Sequence, residues 1–260
     1  MSKNTASELF DLTDRVAVVT GGSRGLGREM VLAFARHGAD VVIASRKLDA
    51  CEALAAEVRK ETGRRALPLA CHVGHWDQCD ALYEATYAEF GRADVLVNNA
   101  GLSPLYDSLV SVTEALYDKV LEINLKGPFR LSSLFGTRMA EERGGSIINV
   151  SSVAAVAPSP REISYGAAKA GLNNLTMGMA HVFAPKVRVN CIMPGPFLTD
   201  ISRAWDLEAF NKNAKVGIPL QRGGEPGEVV GAALYLASQA SSYTTGAILK
   251  IDGGAAFPAA

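Results

Sequence analysis

The feature that most constrains this chain is the regular recurrence of short β-branched runs. They fall at residues 15–20 (RVAVVT), 40–44 (DVVIA), 66–71 (ALPLAC), 94–98 (DVLVN), 146–150 (SIINV), 187–191 (VRVNC) and 247–251 (AILKI). The runs show little alternation of apolar and polar residues, which is how strands covered on both faces read. Between them lie helical stretches at 27–37, 48–61, 77–90, 113–138, 164–183 and 225–237. Gly38, Gly63 and Gly91 follow three of these as helix stops. Strands that alternate with helices predict an α/β fold, a doubly wound parallel sheet with helices on both faces. Residues 1–260 read as a single domain, without repeat, low-complexity tract or linker. The one long irregular stretch, about 194–219, reads as a substrate-binding loop or lid.

Composition narrows the function. The chain is 48% hydrophobic and 20% charged, with a formal net charge of −1. That balance gives no electrostatic case for nucleic acid or an anionic membrane. The first residues, MSKNTASELFDLTDR, lack the apolar core of a secretory signal. No apolar run approaches the roughly 18 residues that suggest a membrane span. A cytoplasmic setting is expected, and with it buried thiols rather than disulfides at Cys51, Cys71, Cys79 and Cys191.

The first strand runs into TGGSRGLG, residues 20–27, and then a helix. Gly21 suits the turn, and Gly25 and Gly27 let backbone approach ligand and sheet. Ser23 and Leu26 complete the loop. The helix N-terminus offers free N–H groups and a partial positive charge to a pyrophosphate. In this architecture an acid at the end of the second strand would bind a ribose 2′-hydroxyl. Ser45 and Arg46 stand there instead, leaving room and positive charge for a 2′-phosphate, with Arg24 on the same side. The pattern favours NADP(H), with NAD(H) left open.

In ISYGAAKAG, Tyr165 and Lys169 lie four apart on a predicted helix and so share a face. A free tyrosine titrates at about 10. A nearby ammonium is expected to lower that value and let the phenol exchange a proton with a substrate oxygen. Ser152 lies thirteen residues before Tyr165, just past a strand. Asn99, Ala100 and Gly101 follow another strand end, Asn124 sits in INLKG, and Pro194 and Gly195 follow the sixth strand. All fall at or beside the carboxyl ends of predicted parallel strands, where ligands bind in such sheets.

Together TGGSRGLG, NNAG, Asn124, Ser152, YGAAK, PGPFLT and the terminal IDGG resemble the short-chain dehydrogenase/reductase family, over about residues 12–254. The resemblance implies a Rossmann-like domain with strand order 3-2-1-4-5-6-7, in a homotetramer or homodimer. It implies that Tyr165 is the general acid in reduction and the base in oxidation. Lys169 would lower its pKa and bind the nicotinamide ribose. Ser152 would hydrogen-bond the substrate carbonyl, and Asn124 would hold a water in a proton relay. Asn99, Ala100 and Gly101 would pass along the adenosine side of the cofactor. Phe197 and Thr199, after Pro194 and Gly195, would meet the carboxamide.

The stretch CHVGHWDQC, residues 71–79, raises a competing reading as a metal site. Structural zinc sites generally use ligand pairs spaced like C-x2-4-C and H-x3-5-H, and this spacing differs. Cys71 is expected to point into the core, and Cys79 to lie in a helix whose register does not obviously face it. No metal is expected. In the resembling family an Asp-Val pair commonly ends this strand and contacts the adenine; here His72 and Val73 take that place.

The substrate is less legible. Phe197, Leu198, Ile201, Trp205, Leu207 and Phe210 are candidate lid residues, with Leu102, Leu105, Tyr106 and residues 153–161 as a facing wall. They suggest a partly apolar small-molecule substrate. PLQRGGEP and IDGG look most like the 3-oxoacyl-carrier-protein reductase branch. Arg130 matches one basic carrier-docking position of that branch, but His181 stands where a second arginine is expected, and the segment 183–188 is about two residues short. A general ketone or secondary-alcohol reductase is the alternative, and a non-catalytic NADP(H)-binding sensor a third reading.

Overall fold

The computed structural model describes residues 5–199, 202 and 206–256. A short α1 (Ala6–Leu9) precedes β1 (Val16–Thr20), α2 (Gly25–Arg36), β2 (Asp40–Ser45), α3 (Leu48–Thr62) and β3 (Ala66–Ala70). Then come α4 (Trp76–Phe90), β4 (Val95–Asn98), α5 (Glu114–Leu121), α6 (Gly127–Glu141) and β5 (Gly145–Val150). The chain continues through α7 (Ile163–Val182), β6 (Val187–Pro194), α8 (Leu207–Gly217), α9 (Val230–Ala237) and β7 (Ile248–Ile251). The strands form one sheet in the order β3-β2-β1-β4-β5-β6-β7, parallel at every pairing. Among the described residues no helix is long and apolar enough to cross a membrane.

The sheet divides the core in two. Along β1, Ala17 and Val19 pack with α2, α3 and α9 on one face, while Val16 and Val18 pack with α4, α6 and α7 on the other. Successive side chains of a strand point to opposite faces, so a central strand covered on both sides must be apolar throughout. This explains why the runs show no alternation. The reversal of strand order between β1 and β4 opens a crevice at their carboxyl ends, where the connecting loops diverge.

Two expected elements differ. The stretch 113–138 is not one regular helix: a wider π-type turn over Glu122–Lys126 joins α5 to α6. Pro128 supplies no N–H to the helical ladder there. Gly127 also lies so close to Val73 that a Cβ on it would stand 2.3 Å from the Val73 carbonyl oxygen. The stretch 194–219 is not irregular throughout, since it carries α8. Asp206 starts that helix by accepting a hydrogen bond from the Ala209 N–H at 3.0 Å. Two of the candidate lid residues, Ile201 and Trp205, lie outside the described residues.

Candidate active site

The glycine turn is held by side chains as well as by its own backbone. Thr20 ends β1, and its hydroxyl accepts from the N–H groups of Asn99 (3.0 Å) and Ala100 (3.2 Å). The Asn99 side-chain amide donates back to the carbonyls of Thr20 (2.9 Å) and Gly21 (3.1 Å). The loop after β4 is thereby fastened to the turn after β1. Gly21 takes a φ of +62°, and a Cβ on Gly27 would stand 2.2 Å from the Gly21 carbonyl oxygen. The helix begins at Gly25, two residues earlier than expected. Arg24 before it makes no side-chain cap, so the first N–H groups of α2, those of Gly25, Leu26 and Gly27, keep their capacity to bind an anion. Thr199 overhangs this turn, 3.6 Å from where a Cβ on Gly25 would be.

Ser23 donates to Ser45 at 2.9 Å, tying the turn to the end of β2. Arg24 and Arg46 are exposed beside them, and among the described residues no acid forms an ion pair with either. A close-packed glycine cradle, an uncapped helix start and two available guanidinium groups fit a phosphorylated dinucleotide.

The strand end at His72 has its own anchor. The His72 N–H donates to the Gln78 side chain at 2.8 Å, and the Gly74 N–H donates to His72 Nδ1 at 3.3 Å. Burial, then His75 and Arg46, hold the His72 imidazole below its ordinary value. Val73 is buried. The helix register differs from the expectation: Cys71 and Cys79 lie beside each other at the strand end, with the Cys71 thiol donating to the Gln78 carbonyl at 3.6 Å. Because α4 starts at Trp76, Cys79 lies in its first turn, and its side chain reaches back to the strand end, donating to the Val73 carbonyl at 3.3 Å. Both cysteines are buried and free. Among the described residues no three potential metal ligands gather.

The reactive cluster lies past the end of β5. Ser152 begins a short 3-10 turn (Val153–Ala155), accepting from the Ala154 N–H at 3.2 Å. Its hydroxyl lies beside the Tyr165 phenol and favours the ionised form. One turn along α7, Lys169 is 3% exposed, and its Nζ donates to the Val150 carbonyl at 2.8 Å. That Nζ lies 5.7 Å from the centre of the Tyr165 ring. Burial pushes the Tyr165 phenol up to about 12, against the pull of Ser152, and the Glu162 charge adds to the rise. Burial likewise draws Lys169 down to about 8. The expectation that Lys169 lowers Tyr165 thus meets the opposite direction. Lys169 is directed at a carbonyl rather than at the phenol, and desolvation outweighs the pair attraction.

Asn124 lies in the π-type turn and is fully buried. Its amide donates to the carbonyls of Leu102 (2.8 Å) and Val120 (2.9 Å) and accepts from the Leu102 N–H (3.2 Å). A Cβ on Gly101 would meet Asn124 Oδ1 at 3.2 Å and Lys169 Nζ at 3.7 Å, which brings the NNAG loop, Asn124 and Lys169 together. Pro194 ends β6, and Gly195 presses on Asp252, where a Cβ would come within 2.8 Å. Phe197 is buried with its ring against Gly224, so it serves the core rather than an exposed lid.

The family model described as Enoyl-(Acyl carrier protein) reductase matches residues 21–256. The 3-oxoacyl-[acyl-carrier-protein] reductase FabG of Chlamydia muridarum is 37% identical over 247 residues, 94% of this chain and 98% of that protein. The chain belongs to the short-chain dehydrogenase/reductase family. Among solved structures, the NADPH-dependent 3-quinuclidinone reductase of Rhodotorula rubra superposes with a TM-score of 0.92 at 29% identity, covering 98% of this chain and 96% of that one. The L-sorbose reductase of Gluconobacter frateurii, complexed with NADPH and L-sorbose, superposes with a TM-score of 0.90 at 28% identity, covering 96% and 100%. The chain is therefore an oxidoreductase of this family, and the fold implies a nicotinamide cofactor.

Several features of this short-chain dehydrogenase/reductase are not legible in its motifs. Arg130 is held by both oxygens of Asp80, at 2.7 and 2.8 Å, and its guanidinium lies 4.9 Å over the Trp76 ring. His181 is exposed on α7. Behind the cluster, the Asn98 amide donates to Ser132 and to Asn149, and Asn149 donates to Thr176, each at 2.9 Å. These bonds tie β4 and β5 to α6 and α7 and so fix the backbone that carries Ser152 and Tyr165. Ser103 and Glu162 also meet, at 2.6 Å. No short-range pattern signals these contacts, because their partners lie 50 or more residues apart or, for Asn98 with Ser132 and Asn149 with Thr176, 34 and 27.

Proposed function

We propose that this protein is an NADPH-preferring reductase of free ketones, running the reverse oxidation of secondary alcohols with NADP. The observation that carries the reading is the convergence of Ser152 and Tyr165 beside the buried Lys169, whose Nζ lies 5.7 Å from the Tyr165 ring centre. When bound, the cofactor supplies the hydride. The residues of the chain position and protonate. Residues 21–27 and the first N–H groups of α2 hold the pyrophosphate, while Arg24, Ser45 and Arg46 select the 2′-phosphate. His72 and Val73 flank the adenine, with Asn99, Ala100 and Gly101 along the adenosine. Pro194, Gly195, Phe197 and Thr199 border the nicotinamide end. Ser152 donates to the substrate carbonyl, and Tyr165, a neutral phenol at pH 7, gives its proton to the developing alkoxide. Lys169 keeps a positive charge beside that proton. Asn124 shapes the backbone next to Lys169.

The similar proteins differ in the bond their names attach to, a carbon–carbon double bond or a carbonyl. A serine hydroxyl and a phenol converging on one point suit an oxygen acceptor, which supports the carbonyl reading. A carrier-bound substrate is disfavoured, since Arg130 already has a carboxylate partner in Asp80 and His181 replaces a permanent cation. The four buried free thiols suit a reducing, cytoplasmic compartment. Exposed Tyr117, Phe129 and Met177 on α5, α6 and α7 support a homodimer or homotetramer. Residues 1–260 act as one domain, with about 194–219 as its substrate loop.

The test is NADPH consumption with an acetoacetyl thioester and a panel of simple ketones and diketones, with Tyr165→Phe as the blank. Turnover of free ketones, silence on the thioester, and near-intact NADPH binding by the inactive variant are expected. Substantial turnover by Tyr165→Phe refutes the assignment. Turnover of the thioester returns the enzyme to the 3-oxoacyl reductase branch.

A further inference from the structure

Beside the reactive cluster, two segments are fastened across the cleft. The Tyr106 N–H donates to the Arg161 carbonyl at 3.2 Å, the Ile163 N–H donates to the Tyr106 hydroxyl, and Arg161 pairs with Asp107 at 3.4 Å. At the centre of this clasp the Ser103 hydroxyl donates to Glu162 Oε2 at 2.6 Å. Ser103 lies two residues beyond Gly101, which borders Asn124 and Lys169. Glu162 lies three residues, about one helical turn, before Tyr165. The carboxylate occupies the N-cap position of α7 yet does not cap it. Arg161 next to it is paired with Asp107, and among the described residues no Lys or Arg pairs with Glu162. Both Ser103 and Glu162 are half-buried. A carboxylate has roughly four acceptor positions, and Ser103 occupies one.

We infer that Glu162, oriented by Ser103, is a specificity-determining residue that accepts a hydrogen bond from a hydroxyl or ammonium group next to the substrate carbonyl, and that repels ketones carrying an anion there. This rests on the ketone-reductase reading above. A negative charge held in a partly desolvated wall favours donors and cations and disfavours carboxylates. It also disfavours the phenolate of Tyr165, consistent with the rise that its charge produces there.

Four ketones of nearly equal size discriminate: butanone, hydroxyacetone, protonated dimethylaminoacetone and pyruvate, each compared by kcat/KM with NADPH for the native protein and Glu162→Gln. Hydroxyacetone and dimethylaminoacetone separate the hydroxyl and ammonium forms of the donor. At least one of them is expected to exceed butanone by about tenfold, with pyruvate lowest. In Glu162→Gln the preference for the cation over pyruvate is expected to fall about tenfold. The pH profile of alcohol oxidation should also move to lower pH, because removing the negative charge eases phenol ionisation. NADPH binding, followed by its fluorescence, reports that the variant is folded. A ratio of cation to pyruvate that stays within about twofold of the native value, with turnover intact, overturns this inference alone. No turnover of any ketone by native protein that binds NADPH overturns the reductase reading, and this inference with it.

Discussion

Lys169→Met should change the way stability depends on pH. Lys169 is buried and drawn down to about 8 from an ordinary 10.5. Below pH 8 both folded and unfolded chains carry the proton, and the fold bears the full penalty of a desolvated ammonium. Between pH 8 and 10.5 the unfolded chain holds more protons than the folded one, so stability rises with pH through that window. With the two values above, the penalty is about 3 kcal/mol at pH 7 and about 1 kcal/mol at pH 9.5. The native protein should therefore gain about 2 kcal/mol from this group between the two. Buried Cys191, pushed up to about 12, acts in the opposite sense, since its unfolded thiol ionises first. It is present in both proteins and largely cancels in their difference. The hydrogen bond from Lys169 to the Val150 carbonyl is lost in the variant, a term common to both pH values. Urea unfolding of native and Lys169→Met protein at pH 7 and pH 9.5 reads the difference directly. The native advantage should grow by about 2 kcal/mol at the higher pH. A gap between the two proteins that does not change with pH would refute the argument that Lys169 is charged and desolvated in the fold. Ketone reduction by native protein should decline as pH rises through about 8, as Lys169 loses its proton while Tyr165 keeps its own.

Three further outcomes follow from the geometry. Arg46→Ala should weaken NADPH binding by about tenfold with little effect on NADH, the loss of one charge-assisted contact; equal losses for both cofactors in a binding titration would place Arg46 elsewhere. Gly27→Ala forces a Cβ to within 2.2 Å of the Gly21 carbonyl oxygen, so helix or turn must shift, and both melting temperature and NADPH affinity should fall. Unchanged affinity would show that the cradle does not need the close approach. Asp80→Ala releases Arg130 from its carboxylate and should raise turnover of an acidic carrier-linked thioester while leaving small ketones unaffected. No gain would exclude Arg130 as a docking residue.

The strands, the glycine turn and the Tyr165–Lys169 pair were legible because each is local. A central parallel strand must be apolar on both faces, so β1, β4 and β5 announce themselves in a few residues. Tyr165 and Lys169 share a face because a helix repeats every 3.6 residues. The missed features were missed for local reasons of another kind. The π-type turn around Asn124 arises where α6 meets the Val73 backbone, a distant partner. The α8 stretch reads as irregular chain because it is rich in polar residues, and its Asp206 cap is a weak signal. The register of Cys79 is not legible because the start of α4, at Trp76 rather than Asp77, carries no side-chain cap to mark it.

By itself the sequence determined the alternation of seven strands with helices, a parallel sheet covered on both faces, and which side chains lie at the carboxyl ends of its strands. Covalent spacing and backbone periodicity suffice for that. Only the tertiary structure decided the state of those side chains. Whether Lys169 lowers Tyr165 depends on burial and on the Val150 carbonyl that accepts its hydrogen bond. Whether Arg130 is available depends on Asp80, fifty residues away, and the charge beside Tyr165 depends on Glu162 meeting Ser103 across 59 residues. Desolvation and long-range hydrogen bonds exist only once the chain has closed on itself, so no short stretch of sequence encodes them.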